Sequence, residues 1–301
     1  RYPKCKVIST EKAFMFMRQF GFDIDEHELI EVSEGDTYCF GAHTVTFVSA
    51  PMVHWPEAMV TLDVTNGVLF SADAFGSFIA LDGKLFNDEV NFDRDWLDEA
   101  RRYYTNIVGK YGPQVQAVLK KAAGLDIQTI CSLHGPVLKE NLGFYLEKYD
   151  RWSSYQPEES GVVIAYASVY GNTRNAAEYL ADVLQEKGQK TVLYDLARCD
   201  KAKAVADAFR YDRLVLAGIT YNGDLFPCMR SFIEGLTERN YQNRKVAIIE
   251  NGTWAPMAGK LILGMFEKSK NLTFTETTVS IKSAMNAQNK DEIGKLAEEL
   301  C

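Results

Sequence analysis

The second half of the chain alternates apolar runs with amphipathic stretches in a regular rhythm. Runs that predict strands occupy 162–166, 191–194, 213–217, 245–250 and 274–281. Stretches with helical periodicity occupy about 174–187, 201–209, 229–239, 257–268 and 291–300. Five strands alternating with five helices predict a doubly wound, five-stranded parallel sheet of order 2-1-3-4-5.

The first half has a mixed pattern in which strands come before helices. Short strands are predicted at 7–8, 29–32, 37–40, 44–49, 59–64, 68–72 and 127–131, and helices at 11–19, 93–110 and 113–123. Glu34-Gly35-Asp36 predicts a hairpin between 29–32 and 37–40, and Asn66-Gly67 predicts a two-residue hairpin. This order predicts an α+β unit or a sandwich with flanking helices. The polar stretch 153–160 is the predicted linker between domains 1–152 and 161–301.

Length and charge restrict the classes of function. A chain of 301 residues favours two domains, and its net charge of −8 disfavours nucleic acid or an anionic membrane as a partner. No apolar run approaches membrane-spanning length. Six scattered cysteines without a Cys-x-x-Cys pair predict buried free thiols and a cytoplasmic protein. The start at Arg1, without an initiator Met, favours a processed or truncated product.

The loop Ser168–Thr173 lies between a predicted strand and a predicted helix. Backbone N–H groups and the positive end of the helix dipole converge there, and Ser168 and Thr173 add hydroxyls. The loop contains neither a Lys nor a second spaced Gly, which excludes a Walker loop and a dinucleotide fingerprint. A phosphate held without a cation favours a mononucleotide such as FMN.

Two further loops follow the third and fourth strands of the predicted sheet. Each contains a Gly for close backbone approach and an aromatic residue, Tyr221 or Trp254, for contact with a flavin ring. Either aromatic alone is as well explained as an ordinary turn residue. The predicted FMN-binding residues are Ser168, Val169, Tyr170, Gly171, Asn172, Thr173, Thr220, Tyr221, Asn222, Gly223, Leu225, Phe226, Asn251, Gly252, Thr253, Trp254 and Ala255.

Three potential metal ligands occur at predicted strand ends in the first half. His54, Asp73 and His134 each follow an apolar run, so that a rigid sheet can direct them into one cleft. Imidazole nitrogens with a bridging carboxylate suit zinc or non-haem iron. A single buried His or Asp is more often a hydrogen-bonded core residue, and that reading stays open on residue types alone.

The loops Tyr170-Gly171-Asn172-Thr173 and Tyr221-Asn222-x-x-Leu225-Phe226-Pro227 resemble those of the flavodoxin family. More narrowly, 161–301 resembles the flavodoxin-like FMN-binding domain of flavodiiron proteins. Residues 1–152 resemble the second half of that family's metallo-β-lactamase-like αββα sandwich, because His-x18-Asp-x60-His is similar to its second set of ligands. The resemblance implies His54 and His134 as ligands of one iron each and Asp73 as the bridge. His27 and His43 match no ligand position and are expected at the surface.

The chain departs from the family in one respect. The family's first ligand motif, His-x-Glu-x-Asp-His, is absent from the sequence. We therefore expect an incomplete two-iron site, whose other ligands lie in a missing N-terminal segment. That segment was removed, resides on another chain or was never encoded in this product. The interior-like Arg1-Tyr2-Pro3 favours truncation. Residues 1–150 are then expected to expose apolar surface or an open edge and to be less stable than the flavodoxin half.

The resemblance implies an FMN- and iron-dependent oxidoreductase that reduces O2 to water, NO to N2O, or both. No Cys-x-x-Cys follows the flavodoxin domain, so a separate rubredoxin-like or reductase donor is expected. A head-to-tail homodimer or tetramer in the cytoplasm is also implied. One alternative is a flavodoxin-type FMN carrier with a degenerate metal domain and no catalysis. Another is a metallo-hydrolase, which would leave the fused flavin domain without a purpose because hydrolysis needs no electrons.

Overall fold

The computed structural model describes residues 2 and 4–301. The chain divides between Ser154 and Tyr155 into two compact units. Within the described residues, no helix combines the length and apolar character needed to cross a membrane.

The first unit contains a five-stranded sheet, a two-stranded sheet and a group of helices. Its strands are β1 (Lys6–Ser9), β2 (Glu28–Glu31), β3 (Thr37–Phe40), β4 (His43–Ser49), β5 (Met59–Asp63), β6 (Val68–Phe70) and β7 (Thr129–Cys131). Its α-helices are α1 (Glu11–Gln19), α2 (Phe92–Asp95), α3 (Leu97–Tyr103), α4 (Gly112–Ala122) and α5 (Leu142–Ser153). The order of the larger sheet is β3-β4-β5-β6-β7, in which only β6 and β7 pair in parallel.

The two faces of the larger sheet are covered differently. On one face, Leu62, Leu69 and Ile130 pack with residues of α2–α5 in the main core of this unit. On the other face, Val45 and Phe47 of β4 pack against the β1–β2 sheet. Phe70 is 51% exposed, so that this second face is open at β6. Two packed sheets with helices outside agree with the predicted metallo-β-lactamase-like architecture.

Several local predictions in the first unit were wrong. β2 pairs in parallel with β1, whereas β3 pairs with β4, so that no hairpin joins β2 to β3. The apolar residues of β2 match those of β1 in register, and the turn after β2 carries the chain to the larger sheet. The predicted hairpin between β5 and β6 is present, but its connection has four residues instead of two, because Asp63 pairs with Val68 and its carboxylate accepts from Thr65 N and from the Asn66 side chain.

The helical region of the first unit also differs from the prediction. The predicted helix 93–110 is divided into α2, α3, a π-helical turn at Tyr104–Val108 and a 3₁₀ turn at Gly109–Tyr111. α5 was not predicted, and it ends where the predicted linker begins, at Ser153. The connection from α5 to the next strand is therefore shorter than predicted.

The second unit is the predicted doubly wound sheet. Its strands are β8 (Glu159–Tyr166), β9 (Thr191–Asp195), β10 (Tyr211–Tyr221), β11 (Asp224–Leu225), β12 (Arg244–Asn251) and β13 (Leu272–Ile281). Its helices are α6 (Asn172–Glu186), α7 (Lys201–Arg210), α8 (Pro227–Thr237), α9 (Ala258–Met265) and α10 (Ala287–Glu299). The spatial order β13-β12-β10-β8-β9 confirms the predicted order 2-1-3-4-5, and the short β11 is an antiparallel addition to β10.

Side chains on both faces of the second sheet are fully buried. Leu214 and Leu216 face one helical layer, and Val215 and Ala217 face the other. The central strands therefore read as continuous apolar runs, as expected for a parallel sheet covered on both sides. The carboxyl ends of β8, β10 and β12 lie side by side at one edge.

We predict that the first unit is cleaved before the second in limited proteolysis of the native chain. Twelve large apolar side chains of the first unit are exposed among the described residues, compared with six of the second. Less apolar burial leaves less free energy to oppose local opening. Mass spectrometry of fragments from a non-specific protease should place the early cuts before Ser154. Simultaneous cleavage of both units would contradict this expectation.

Candidate functional site

A cavity of about 460 Å³ opens at the carboxyl ends of β8, β10 and β12. The three predicted loops form most of its wall. Its lining residues are Ser168, Val169, Tyr170, Asn172, Thr173, Ile219, Thr220, Tyr221, Asn222, Gly223, Asn251, Gly252, Thr253, Trp254, Ala255, Met257 and Ser283. None of these side chains is charged.

One end of the cavity is built to hold an anion without a cation. Gly171, in the left-handed conformation at φ 89°, leads directly into α6, which begins at Asn172. Gly171 N donates to Ser168 Oγ over 3.1 Å and thereby closes the turn. Thr173 lines the cavity from the first turn of α6. The first N–H groups of a helix have no partner within the helix, so they and the helix dipole are available to a phosphate.

Exposed aromatic rings surround the rest of the cavity. Tyr221 is 46% exposed, Trp254 is 89% exposed and Tyr170 is 92% exposed. Rings of this size are usually buried in soluble proteins, and a planar apolar ligand in the cavity would cover them. The cavity therefore suits a molecule with a phosphate at one end and a flat ring system at the other.

Three predicted cofactor residues lie outside the lining. Leu225 is buried in the core beneath the second loop, and Phe226 packs against the same core. Both side chains anchor the loop through apolar contacts, and the Phe226 ring also contacts that of Tyr221 at a centroid distance of 5.3 Å. Gly171 shapes the first loop as the residue before α6.

Ile219, Met257 and Ser283 also line the cavity, although they were not among the residues predicted from the sequence. Ile219 and Met257 adjoin predicted loops. Ser283 belongs to a fourth loop, which follows β13. The rule that ligands bind beyond the carboxyl ends of parallel strands would have found this loop, because β13 is parallel to β12.

In the first unit the structure brings together the three predicted metal ligands. His134 Nε2 lies 3.1 Å from Asp73 Oδ1, and His54 Nε2 lies 3.4 Å from Asp73 Oδ2. Each histidine therefore faces a different oxygen of one carboxylate. This is the donor arrangement that a carboxylate bridging two metal ions requires.

Sheet pairing accounts for this convergence. β6 and β7 are parallel, and Phe70 is in register with Cys131. Asp73 and His134 each lie three residues beyond that pair, so both loops leave the same edge of the sheet. His54 reaches the same edge from the β4–β5 connection, since Ser49 pairs with Met59.

The loops that carry these ligands contain non-glycine residues in the left-handed region. Met52 has φ 65°, Ala72 has φ 50° and Phe75 has φ 64°. This conformation costs roughly 1–3 kcal/mol for a residue with a side chain, and it persists only where the surroundings enforce it. Each of the three lies within two residues of His54 or Asp73, which is typical of loops held for function.

Tyr103 and Ser77 adjoin the cluster. The Tyr103 ring centroid lies 5.6 Å from that of His134. Burial and the negative charge of Asp73 raise the pKa of the Tyr103 phenol, which keeps the phenol neutral and able to donate a hydrogen bond. Ser77 N donates to His134 O over 3.3 Å, and the buried Ser77 hydroxyl has no hydrogen-bond partner among the described residues.

His54, Asp73 and His134 have the donor types of part of a metal site. Imidazole and carboxylate donors suit zinc or non-haem iron. No group of three or more His, Cys, Asp or Glu among the described residues is arranged to enclose one ion. His54 and His134 lie on opposite oxygens of Asp73, so that each ion would receive one imidazole and one shared carboxylate oxygen.

The other two histidines are not part of this cluster. His43 Nδ1 lies 2.9 Å from Asp63 Oδ2, and the His43 side chain is 51% exposed. His27 Nδ1 lies 3.1 Å from Cys5 O, and this histidine is partly buried.

The two units match two different protein families. Residues 1–135 match a family described as ODP family beta lactamase, and residues 163–273 match a flavodoxin domain family. The anaerobic nitric oxide reductase flavorubredoxin of Aeromonas hydrophila is 30% identical over 228 residues, which are 74% of this chain and 46% of that protein. An uncharacterized protein of Methanocaldococcus jannaschii, MJ0732, is 28% identical over 75% of this chain and 56% of its own length.

Solved structures show the same combination of folds. The rubredoxin oxygen oxidoreductase of Desulfovibrio gigas has a TM-score of 0.89 at 22% identity, over 98% of this chain and 73% of that one. The flavodiiron protein of Giardia intestinalis has a TM-score of 0.90, also at 22% identity and with the same coverage. The chain belongs to the flavodiiron protein family.

This flavodiiron chain spans about half the length of the curated relatives that it matches. The relatives' activities belong to longer proteins. The match nevertheless includes both units, so the lactamase-like fold and the flavodoxin fold are both present in these residues.

We predict that Asp73→Ala weakens binding of a divalent probe, Co²⁺, to this flavodiiron chain by at least about tenfold, because the substitution removes the oxygen donors between both histidines. Absorption titration under anaerobic conditions measures the change. His43→Ala is the matched control, since His43 contacts Asp63 instead of Asp73. Equal Co²⁺ affinity in Asp73→Ala and the unsubstituted chain would contradict the assignment.

Proposed function

We propose that this chain acts in a flavodiiron oxidoreductase, which passes electrons from a reduced carrier through FMN to a non-haem two-iron site. That site reduces O2 to water, NO to N2O, or both. One observation carries the proposal: His54 and His134 face opposite oxygens of Asp73, in a chain that also contains an uncharged cavity with an anion-binding end.

The residues of the cavity fit FMN. The loop Ser168–Thr173 and the start of α6 would hold the phosphate through N–H groups and hydroxyls. Tyr221 and Trp254 would contact the ring. Gly252 allows the loop after β12 to fold tightly against Pro256, since a Cβ on Gly252 would lie 2.8 Å from Pro256 Cα. When bound, FMN exchanges one or two electrons. The chain's residues orient the ring and keep water from its faces.

Two of the three candidate ligands would hold separate iron ions, His54 on one and His134 on the other, with Asp73 between them. Bound iron supplies positions for the gas and accepts electrons. The neutral Tyr103 phenol beside His134 would donate a hydrogen bond toward the Asp73 side of the site. The remaining ligands would come from polypeptide outside these residues, an inference that the greater length of the relatives supports.

The partners follow from the same proposal. A separate rubredoxin-like protein or reductase would donate electrons, and the names of the D. gigas and A. hydrophila relatives support a rubredoxin-type donor. A head-to-tail homodimer or tetramer would bring the flavin of one subunit to the metal site of its neighbour. We place the protein in the cytoplasm because its six cysteines are all free thiols.

A second candidate is a flavodoxin-type FMN carrier without catalysis. It is favoured by a contrast in the described residues: the flavin cavity is lined from four loops, whereas no group of three or more His, Cys, Asp or Glu side chains is arranged to enclose one ion. Iron content separates the two candidates. Fewer than one iron per chain after anaerobic purification with iron present, and together with any polypeptide that completes the metal site, would support the carrier.

We predict that His54→Ala abolishes O2 and NO consumption while FMN stays bound. His54 lies in the first unit and the flavin cavity lies in the second, so the substitution removes an iron ligand without changing the cavity lining. The measurement is gas uptake with a reduced donor, in the protein together with any polypeptide that completes its metal site. FMN absorbance is read on the same samples. Loss of FMN, or unchanged gas uptake, would contradict the role of His54.

A further inference from the structure

The loop after β13 is not one of the three loops predicted to bind the flavin, yet it contributes to the cavity wall. Ser283 contributes to the lining beside Thr253. Its φ of 71° places it in the left-handed region, which is unfavourable for serine. Contacts with the β12 loop hold Ser283 in this conformation.

Asn251 makes two reciprocal hydrogen bonds with the backbone of Ser283. Asn251 Nδ2 donates to Ser283 O over 2.9 Å, and Ser283 N donates to Asn251 Oδ1 over 3.0 Å. Asn251 is only 6% exposed, so these groups have little access to water that could replace the bonds. We call this pair of bonds the Asn251–Ser283 clasp.

The two residues after Asn251 are bonded to the same strand end. Gly252 N donates to Ile281 O over 3.0 Å. The hydroxyls of Thr253 and Ser283 lie 2.8 Å apart. Three consecutive residues, beginning with the last residue of β12, are thus bonded to the end of β13 or to the loop after it, immediately before Trp254.

The far end of the loop after β12 is held by Thr220, near the end of β10. Thr220 Oγ1 accepts from Met257 N over 2.8 Å and from Ala258 N over 3.2 Å. Trp254 is therefore carried between two anchored ends, although its own side chain is 89% exposed. An anchored loop can present an aromatic ring to a ligand at low entropic cost.

We propose that Ser283 forms a fourth contact loop of the flavin cavity and that Asn251 is a positioning residue for the flavin ring. The clasp holds Ser283 and the Thr253–Trp254 segment in their ligand-binding arrangement. It acts at the ring end of the cavity, while Ser168–Thr173 acts at the phosphate end. This inference rests on the proposed function, since it requires that the cavity binds a flavin.

The test compares the affinities of FMN and riboflavin, which share the ring and differ in the phosphate. We expect Asn251→Ala to weaken both by about tenfold and by the same factor, because the loss of two hydrogen bonds affects the ring end alone. Thr173→Val is the matched variant at the phosphate end. It removes a hydroxyl from the cavity wall and should weaken FMN more than riboflavin. Flavin fluorescence titration measures both affinities for each variant and for the unsubstituted chain.

A second comparison separates positioning from a general loss of stability. Ser283→Gly keeps both clasp bonds, which involve only the backbone of Ser283, and glycine adopts positive φ without penalty. Its flavin affinities should fall, but by less than in Asn251→Ala, because the Ser283 hydroxyl is lost from the cavity lining while both clasp bonds remain. Glycine at position 283 adopts the positive φ without the clasp, so the double variant Asn251→Ala/Ser283→Gly should recover part of the affinity that Asn251→Ala loses.

If Asn251→Ala does not fold, Asn251→Ser replaces it. Serine is neutral and too short to make both clasp bonds, so we expect both flavins to lose affinity by the same factor. Unchanged affinities, a loss confined to FMN, or a double variant no better than Asn251→Ala would overturn the role of the clasp. If the unsubstituted chain bound neither flavin, the proposed function would be overturned instead.

Discussion

Parallel pairing of strands is the constraint on which both candidate sites depend. Parallel strands end at a common edge, so the residues that follow them meet without being neighbours in sequence. In the second unit the shared edge of β8, β10, β12 and β13 gathers four loops around one cavity. In the first unit the single parallel pair of the larger sheet, β6 and β7, gives Asp73 and His134 the same displacement from the register pair Phe70–Cys131.

Each site uses little charge of its own and much fixed backbone. The flavin cavity has no charged side chain in its lining, so N–H groups, hydroxyls and a helix dipole would supply its attraction for a phosphate. Among the three candidate metal ligands, one carboxylate contacts both histidines. Four of the five residues other than Gly and Asn with positive φ among the described residues adjoin these sites, namely Met52, Ala72, Phe75 and Ser283. Backbone strain is thus concentrated where ligands are expected to bind.

The sequence was most informative where the structure is most regular. Continuous apolar runs such as 162–166 can pack only in a sheet covered on both faces, and the strand order of the second unit was predicted correctly. Their positions at predicted strand ends suggested one cleft for His54, Asp73 and His134, and the family resemblance supplied their expected roles; spacing alone does not reveal that β6 and β7 are parallel. The β1–β2 pairing was missed for the same reason, since short strands of similar composition do not specify their partners.

Side-chain hydrogen bonds were the least predictable feature. Nothing in the order of residues indicates that Asn251 would bond the backbone of Ser283, 32 positions away. Leu225 and Phe226 were assigned to the cavity because their loop resembled a flavin loop, whereas Leu225 is buried in the core beneath the loop and Phe226 is partly buried against it. A loop can therefore be identified from sequence before the direction of each side chain is known.

Anomalous diffraction at the iron absorption edge is the most direct test for two iron ions beside Asp73. The crystals should contain protein purified anaerobically with iron and FMN, together with any polypeptide that completes its metal site. We expect iron peaks on the two sides of the Asp73 carboxylate, one beside His54 and the other beside His134. FMN density should lie between Ser168–Thr173 and Trp254. Bound FMN without an iron peak near Asp73 would contradict the flavodiiron assignment of this site and leave an electron carrier.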